Sequence, residues 1–159
     1  ENIIVYGLSR GATVAALAAC SDSRIKSIIL VAGLYNMYDG YDYLNDGIKK
    51  SLSTEASNSE ESLKKRSPFY QLHDLKIPTL MIHGDKDEVA QSKFAKEFFE
   101  AAKLKNKKTQ FKLFEEYGHG IPFELCCDLA GNFLYEEGFW DKPVRPYCLS
   151  FKRSKFLEV

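Results

Sequence analysis

The chain has 159 residues, of which 45% are hydrophobic and 28% are charged, a balance that predicts one globular domain with its own core. Lys plus Arg and Asp plus Glu each total 22, so the zero net charge gives no reason to expect nucleic acid or a membrane as a partner. No apolar run approaches the roughly 18–20 residues of a membrane span, and no signal peptide is visible. We therefore expect a cytoplasmic protein.

The four cysteines agree with that expectation. Cys20, Cys126, Cys127 and Cys148 show no metal-ligand spacing, and the adjacent pair is poorly placed to form a mutual disulfide. We expect reduced, mostly buried thiols and no metal or other cofactor. Because the first residue is Glu1 and a core strand follows at once, we also expect the chain to be the C-terminal part of a longer protein.

The first elements surround a serine motif. A continuous apolar run predicts a buried strand at residues 2–6, and an alanine-rich pattern predicts a helix at residues 11–20. Gly-Leu-Ser-Arg-Gly at residues 7–11 joins them and matches the nucleophile elbow, in which a strained turn exposes the serine hydroxyl above a sheet. Its glycines let the strand and the helix approach closely. Residues 27–32 predict a second buried strand.

Residues 35–72 interrupt this alternation. Four tyrosines are interleaved with Asn and Asp over residues 35–43, and residues 51–65 are rich in Ser, Glu and Lys. We expect two short helices with a mobile join that lie across the strand ends as a small cap, with the tyrosine-rich segment lining or covering a substrate pocket. The alternative is a surface excursion without a role.

The second half returns to alternating strands and helices. Phe94, Phe98 and Ala102 share one face of the first helix there, and residues from 138 onward predict an extended tail because of Pro143 and Pro146. The repeated alternation predicts a parallel, doubly wound α/β sheet. The predicted elements are a buried strand at 78–83, a helix at 89–104, an edge-like strand at 109–114, a loop at 117–120 and a helix at 121–135.

Three histidines are candidates for the base that would activate Ser9. His119 follows a strand in a glycine-flanked loop, and functional groups of open α/β sheets lie beyond the carboxyl ends of the strands. His73 precedes a strand and so lies at the wrong end. His83 ends a strand and is better interpreted as a structural histidine. We therefore predict His119 as the base.

The acid is predicted in the loop that follows the third of these strands, residues 84–88. We predict Asp87, because Asp85 beside a glycine is suited to shaping the turn and Glu88 to beginning the next helix. The chain order Ser9, Asp87, His119 is the order of nucleophile, acid and base in α/β-hydrolases.

These motifs resemble a known family. Gly-Leu-Ser-Arg-Gly (7–11), His-Gly-Asp-Lys-Asp-Glu-Val (83–89) and Tyr-Gly-His-Gly (117–120) are similar to the catalytic domain of the prolyl oligopeptidase family of serine peptidases and esterases. The resemblance covers residues 2 to about 135. It implies a three-layer αβα fold with a mostly parallel sheet, a partial α/β-hydrolase fold without its N-terminal strands. It also implies that Ser9, Asp87 and His119 are catalytic.

The resemblance further implies a second part of the site. The backbone N–H of Arg10 is expected to donate to the oxyanion, and a second donor is expected from a loop upstream of the elbow. The missing N-terminal half of the same domain is therefore an expected partner, since without it the chain would also expose a sheet edge.

We predict a C-terminal portion of an α/β-hydrolase domain at residues 1–137, with the cap at about 35–72, and a C-terminal extension at residues 138–159. The predicted function is hydrolysis of a small-molecule ester or a peptide through an acyl-serine intermediate. The alternative is a truncated, non-catalytic hydrolase remnant or interaction module.

Overall fold

A computed structural model of the chain describes residues 2–55 and 57–142, and the backbone alone of residues 156–158. Besides two 3-10 helices, Tyr41–Tyr43 and Pro68–Asp74, it contains ten elements. In chain order they are β1 (Ile3–Leu8), α1 (Arg10–Ser21), β2 (Ile25–Val31), α2 (Asp46–Glu55), α3 (Glu60–Lys65), β3 (Thr79–Gly84), α4 (Ser92–Lys105), β4 (Thr109–Phe114), α5 (Phe123–Glu136) and β5 (Phe156–Glu158).

The strands form one sheet in the order β1-β2-β3-β4-β5. The first four are parallel, and β5 pairs antiparallel with β4. The register places His83 of β3 beside Leu113 of β4, near the carboxyl ends of both strands. Because the parallel strands end at one edge of the sheet, the loops that follow β1, β3 and β4 are brought together there.

Helices cover both faces of the sheet, which confirms the three-layer α/β fold. Ile28 and Leu30 of β2 belong to the core beneath α1 and α4, whereas Ile29 and Val31 belong to the core beneath α5. Successive residues of a strand point to opposite faces, so a strand covered on both sides needs a continuous apolar run. The alanines of α1 allow that helix to pack closely.

Residues 35–72 contain α2, α3, the 3-10 helix Tyr41–Tyr43 and the first residues of the 3-10 helix Pro68–Asp74, and they enclose a small core of their own. The predicted join between the two helices includes Ala56, which lies outside the described residues. The buried members of this core are Met37, Leu44, Leu52 and Leu63.

Three expectations about single elements were wrong. The strand at residues 109–114 does not lie at the sheet edge over its whole length, because β5 pairs with residues 112–114. The helix expected from residue 89 begins at Ser92, because the Asp87 carboxylate accepts the Val89 and Ala90 N–H groups and holds the preceding turn. Glu88 therefore lies in that turn and not in the helix.

The third correction concerns β1, which lies at the edge of the sheet and is only partly buried. Tyr6 and Leu8 are 40% and 55% exposed. An apolar run cannot distinguish an edge strand with one open side from a central one.

Cys20 and Cys126 are free thiols, and burial raises the pKa of each to about 11. Cys127 is also free. Cys148, Pro143 and Pro146, and with them most of the predicted extended tail, lie outside the described residues. No helix in the described ranges has both the length and the apolar character needed to cross a membrane.

Candidate active site

Ser9 occupies the tight turn between β1 and α1. Its φ of 54° is rare for a residue with a side chain, and the turn is held by a 2.8 Å hydrogen bond from the Ser9 N–H to the Val31 carbonyl. A Cβ on Gly7 would overlap the carbonyl of Gly11, whereas a Cβ on Gly11 would meet nothing within 4 Å. The close approach of strand and helix therefore requires a glycine at position 7 but not at position 11.

His119 lies in the loop after β4, within hydrogen-bonding distance of the serine. Its Nε2 is 2.8 Å from the Ser9 Oγ. The loop is attached to its neighbour after β3, because the Lys86 N–H donates to the Tyr117 carbonyl at 2.9 Å. Gly84 permits this contact, since a Cβ there would overlap the same carbonyl. Two adjacent loops thus fix the position of the imidazole.

Asp87 lies on the other side of the imidazole, with its Oδ2 2.9 Å from His119 Nδ1. Its Oδ1 accepts the N–H groups of Val89 at 2.9 Å and Ala90 at 2.8 Å. Burial raises the pKa of this carboxyl, but hydrogen bonds from His83, Ala90 and His119 lower it by more than burial raises it. The resulting pKa is about 2. The Asp87 side chain is fully buried and, with this pKa, ionised at neutral pH.

The hydrogen-bond directions follow from these contacts. A carboxylate only accepts, so His119 Nδ1 carries the proton that is donated to Asp87. Nε2 is then the acceptor for the Ser9 hydroxyl. The structure thus brings Ser9, His119 and Asp87 into one hydrogen-bonded chain, in which the imidazole is ready to take a proton from the serine.

Arg10, the predicted oxyanion donor, is the first residue of α1. Amides in the first turn of a helix have no intrahelical acceptor, and the helix N-terminus favours negative charge. The Arg10 side chain extends to the cap, where its Nη1 donates to Glu55 Oε1 at 2.8 Å, and both residues line the cavity beside Ser9. The same carboxylate accepts from Ser51 at 3.0 Å and from Arg66 at 3.4 Å.

A cavity of about 320 Å³ opens beside Ser9 and His119. Helix α2 of the cap forms one wall, and polar groups of Asn45, Ser51 and Glu55 also line the cavity. The cavity therefore offers an apolar surface next to the serine. Its apolar lining residues are Ala32, Leu34, Met37, Ile48, Leu52, Val89 and Ala90.

The tyrosine-rich segment, residues 35–43, reaches this cavity, although none of its tyrosines is among the lining residues. Within residues 35–43, Met37 supplies the lining. Tyr35 is fully buried elsewhere and stacks on Phe98, with ring centroids 4.5 Å apart. Tyr38 forms an edge contact with Tyr70 on the cap.

The other two histidines have different surroundings. His73 lies in the 3-10 helix before β3, with Nε2 2.9 Å from the Asp74 carboxylate. His83 is fully buried beside the acid, with Nε2 2.6 Å from the Ala90 carbonyl and 3.2 Å from Asp87 Oδ2. The sequence predicted a structural histidine here but not its contact with Asp87.

Among the described side chains, no group of three or more His, Cys, Asp or Glu residues is arranged to hold a metal ion.

The sequence model of the prolyl oligopeptidase family matches residues 1–124. An uncharacterized peptidase of Bacillus subtilis, YtmA, is 24% identical over 126 residues, covering 77% of this chain and 49% of YtmA. The chain therefore spans about half the length of that curated relative.

Solved structures share the fold at low sequence identity. A puromycin hydrolase has a TM-score of 0.74 at 19% identity, over 85% of this chain and 22% of its own. The acylaminoacyl peptidase of Pyrococcus horikoshii has a TM-score of 0.69 at 19% identity, and the match covers 96% of this chain and 26% of the peptidase. An esterase of Pyrococcus furiosus has a TM-score of 0.62 at 21% identity, and the match covers 86% of this chain and 53% of the esterase.

Proposed function

The chain belongs to the prolyl oligopeptidase family, and we propose that it carries the catalytic residues of a serine hydrolase that cleaves ester or peptide bonds. The observation that carries the proposal is the hydrogen-bonded chain from Ser9 through His119 to the ionised Asp87. Relatives described as peptidases and as an esterase support both kinds of bond as substrates.

The proposed reaction has two halves. The Ser9 Oγ attacks the scissile carbonyl carbon while its proton moves to His119 Nε2, and Asp87 stabilises the imidazolium. The Arg10 N–H donates to the oxyanion of the tetrahedral intermediate. His119 then protonates the leaving alkoxide or amine, which leaves an acyl group on Ser9. A water molecule, deprotonated by His119, hydrolyses the acyl group and restores the serine.

The cavity supports a preference for substrates with an apolar group beside the scissile carbonyl. Its apolar wall adjoins Ser9, and its volume is large enough for a side chain or a short acyl group. The Ile48 and Leu52 side chains of α2 then select the size of that group.

The test uses the full-length protein, because the chain spans only about half of its curated relative. With p-nitrophenyl butyrate, we expect a burst of one p-nitrophenol per active site, followed by slower turnover. Ser9→Ala should abolish the burst and lower kcat by at least about 10⁴-fold.

The matched control is Ser53→Ala, which removes the hydroxyl of an exposed serine on α2 and should leave the burst intact. A wild-type protein whose turnover does not exceed that of Ser9→Ala would favour the non-catalytic remnant. A Ser9→Ala variant that turns over as the wild type does would show that another residue is the nucleophile.

A further inference from the structure

Resting on the proposed function, we propose that His83 is a positioning residue for the acid. Its Nε2–H holds the Asp87 carboxylate in the orientation in which Oδ2 accepts from His119. His83 touches neither Ser9 nor, on this proposal, the substrate, and it acts through Asp87.

The surroundings of His83 fix its protonation. Its Nε2 is 2.6 Å from the Ala90 carbonyl and 3.2 Å from Asp87 Oδ2, and both of these oxygens only accept. Nε2 must therefore carry a proton. Nδ1 is buried and has no hydrogen-bond partner among the described residues, so a second proton there would be buried without an acceptor. Nε2 is consequently the ring nitrogen that donates.

This donor completes the set around the carboxylate. Oδ1 accepts two backbone N–H groups, from Val89 and Ala90, and Oδ2 accepts from His119. The single Nε2–H of His83 is directed to the Ala90 carbonyl at 2.6 Å and lies 3.2 Å from Oδ2, so Oδ2 shares this donor with the carbonyl. The bonds from His83 to Ala90 and Asp87 also join both parts of the acid loop to the end of β3, a fully buried strand.

The position of Oδ2 matters most when His119 becomes charged. The imidazolium is stabilised only while Oδ2 stays within hydrogen-bonding distance of Nδ1, and a misplacement of about 1 Å in a catalytic group can cost on the order of 100-fold in rate. Without the His83 donor, the carboxylate loses the restraint on the oxygen that His119 uses. Acylation should then slow more than binding weakens.

The test compares two amide side chains of different reach in the full-length protein. The amide nitrogen of His83→Gln can take the place of Nε2 and donate, whereas that of the shorter His83→Asn corresponds to Nδ1 and cannot reach. Single-turnover kinetics with the protein in excess over p-nitrophenyl butyrate, extrapolated to saturating protein, give an acylation rate constant that does not depend on the fraction of folded sites. We expect His83→Asn to lower the acylation rate constant about 10- to 100-fold, with the substrate dissociation constant changed less than about threefold. His83→Gln should retain at least about a fifth of the wild-type rate constant.

A double-mutant cycle separates positioning from general structural support. In an Asp87→Asn background, His83→Asn should cause little further loss, because its effect acts through the carboxylate. An equal fold-loss in both backgrounds, or equal rate constants for His83→Asn and the wild type, would overturn the proposal.

A measurement on the unmodified protein does not depend on the variants folding. Nitrogen-15 NMR should show the His83 ring protonated at Nε2, and an unprotonated Nε2 would overturn the proposal. A wild-type burst that Ser9→Ala abolishes, together with unaffected His83 variants, would refute this inference alone. A wild-type protein whose turnover does not exceed that of Ser9→Ala would refute the proposed function as well.

Discussion

Replacing Asp87 by Asn tests how the acid loop controls the histidine. The oxygen of the introduced amide has to face the Val89 and Ala90 N–H groups, which now bind Oδ1 at 2.9 and 2.8 Å. The amide nitrogen then takes the place of Oδ2, 2.9 Å from His119 Nδ1. Two donors cannot face each other, so His119 must move its proton to Nε2. In that tautomer Nε2 donates to Ser9 and cannot accept the serine proton.

The magnitude follows from the loss of the general base. A wrong tautomer in a Ser-His-Asp site costs about 10⁴-fold in kcat, which corresponds to about 5.5 kcal/mol of transition-state stabilisation. The assay is kcat/KM for p-nitrophenyl butyrate at neutral pH in the full-length protein, with thermal unfolding to confirm the fold. The matched control is Glu88→Gln, an exposed carboxyl in the same loop, which should change kcat/KM less than about twofold. An Asp87→Asn variant that retains more than about a tenth of wild-type activity would refute the tautomer argument.

Three further results are expected. The lowered pKa of Asp87, about 2, means that the contribution of its carboxylate to stability is complete above about pH 4 and is lost as the pH falls toward 2. The free energy of unfolding in urea should therefore fall over this pH range in the wild type by an amount that is missing in Asp87→Asn, and parallel plots of unfolding free energy against pH would contradict this. Gly7→Ala should lower the free energy of unfolding in urea by about 1–3 kcal/mol, because the added Cβ overlaps the backbone of α1. Gly11→Ala should be neutral or stabilising, because its Cβ meets nothing within 4 Å, and the reverse order of stability would be inconsistent with the elbow geometry. Ile48→Trp should fill the cavity and lower the ratio of kcat/KM for the p-nitrophenyl hexanoate ester to that for the acetate ester at least about 10-fold. The control Leu104→Trp changes a residue that is 87% exposed and should leave this ratio unchanged, and equal ratios in the two variants would argue against the cavity as the acyl site.

The sequence could predict the elbow and the three residues now joined by hydrogen bonds, because the signals for them are local. Ser9 lies between an apolar run and an alanine-rich helix, and each of these short patterns indicates its own structure. Asp87 and His119 each follow a strand, and the parallel sheet brings such positions to one edge. No long-range information was needed beyond the topology.

Other features depend on packing between distant segments. The pairing of β5 with β4 joins residues 156–158 to residues 112–114, and a three-residue strand carries almost no sequence signal. The start of α4 is set by the Asp87 carboxylate, which competes for the backbone N–H groups that a helix would begin with. The lining of the cavity by Ile48 and not by Tyr35 follows from how the cap folds onto the sheet.

The central claim is that Ser9 is a nucleophile activated by His119, and labelling with a fluorophosphonate tests it most directly. The serine oxygen displaces fluoride from phosphorus, and the adduct is located by peptide mass mapping. We expect the adduct on Ser9 in the full-length wild-type protein, with labelling slowed at least about 10³-fold in His119→Ala. An adduct on another residue, or equal labelling rates in the two proteins, would contradict the claim.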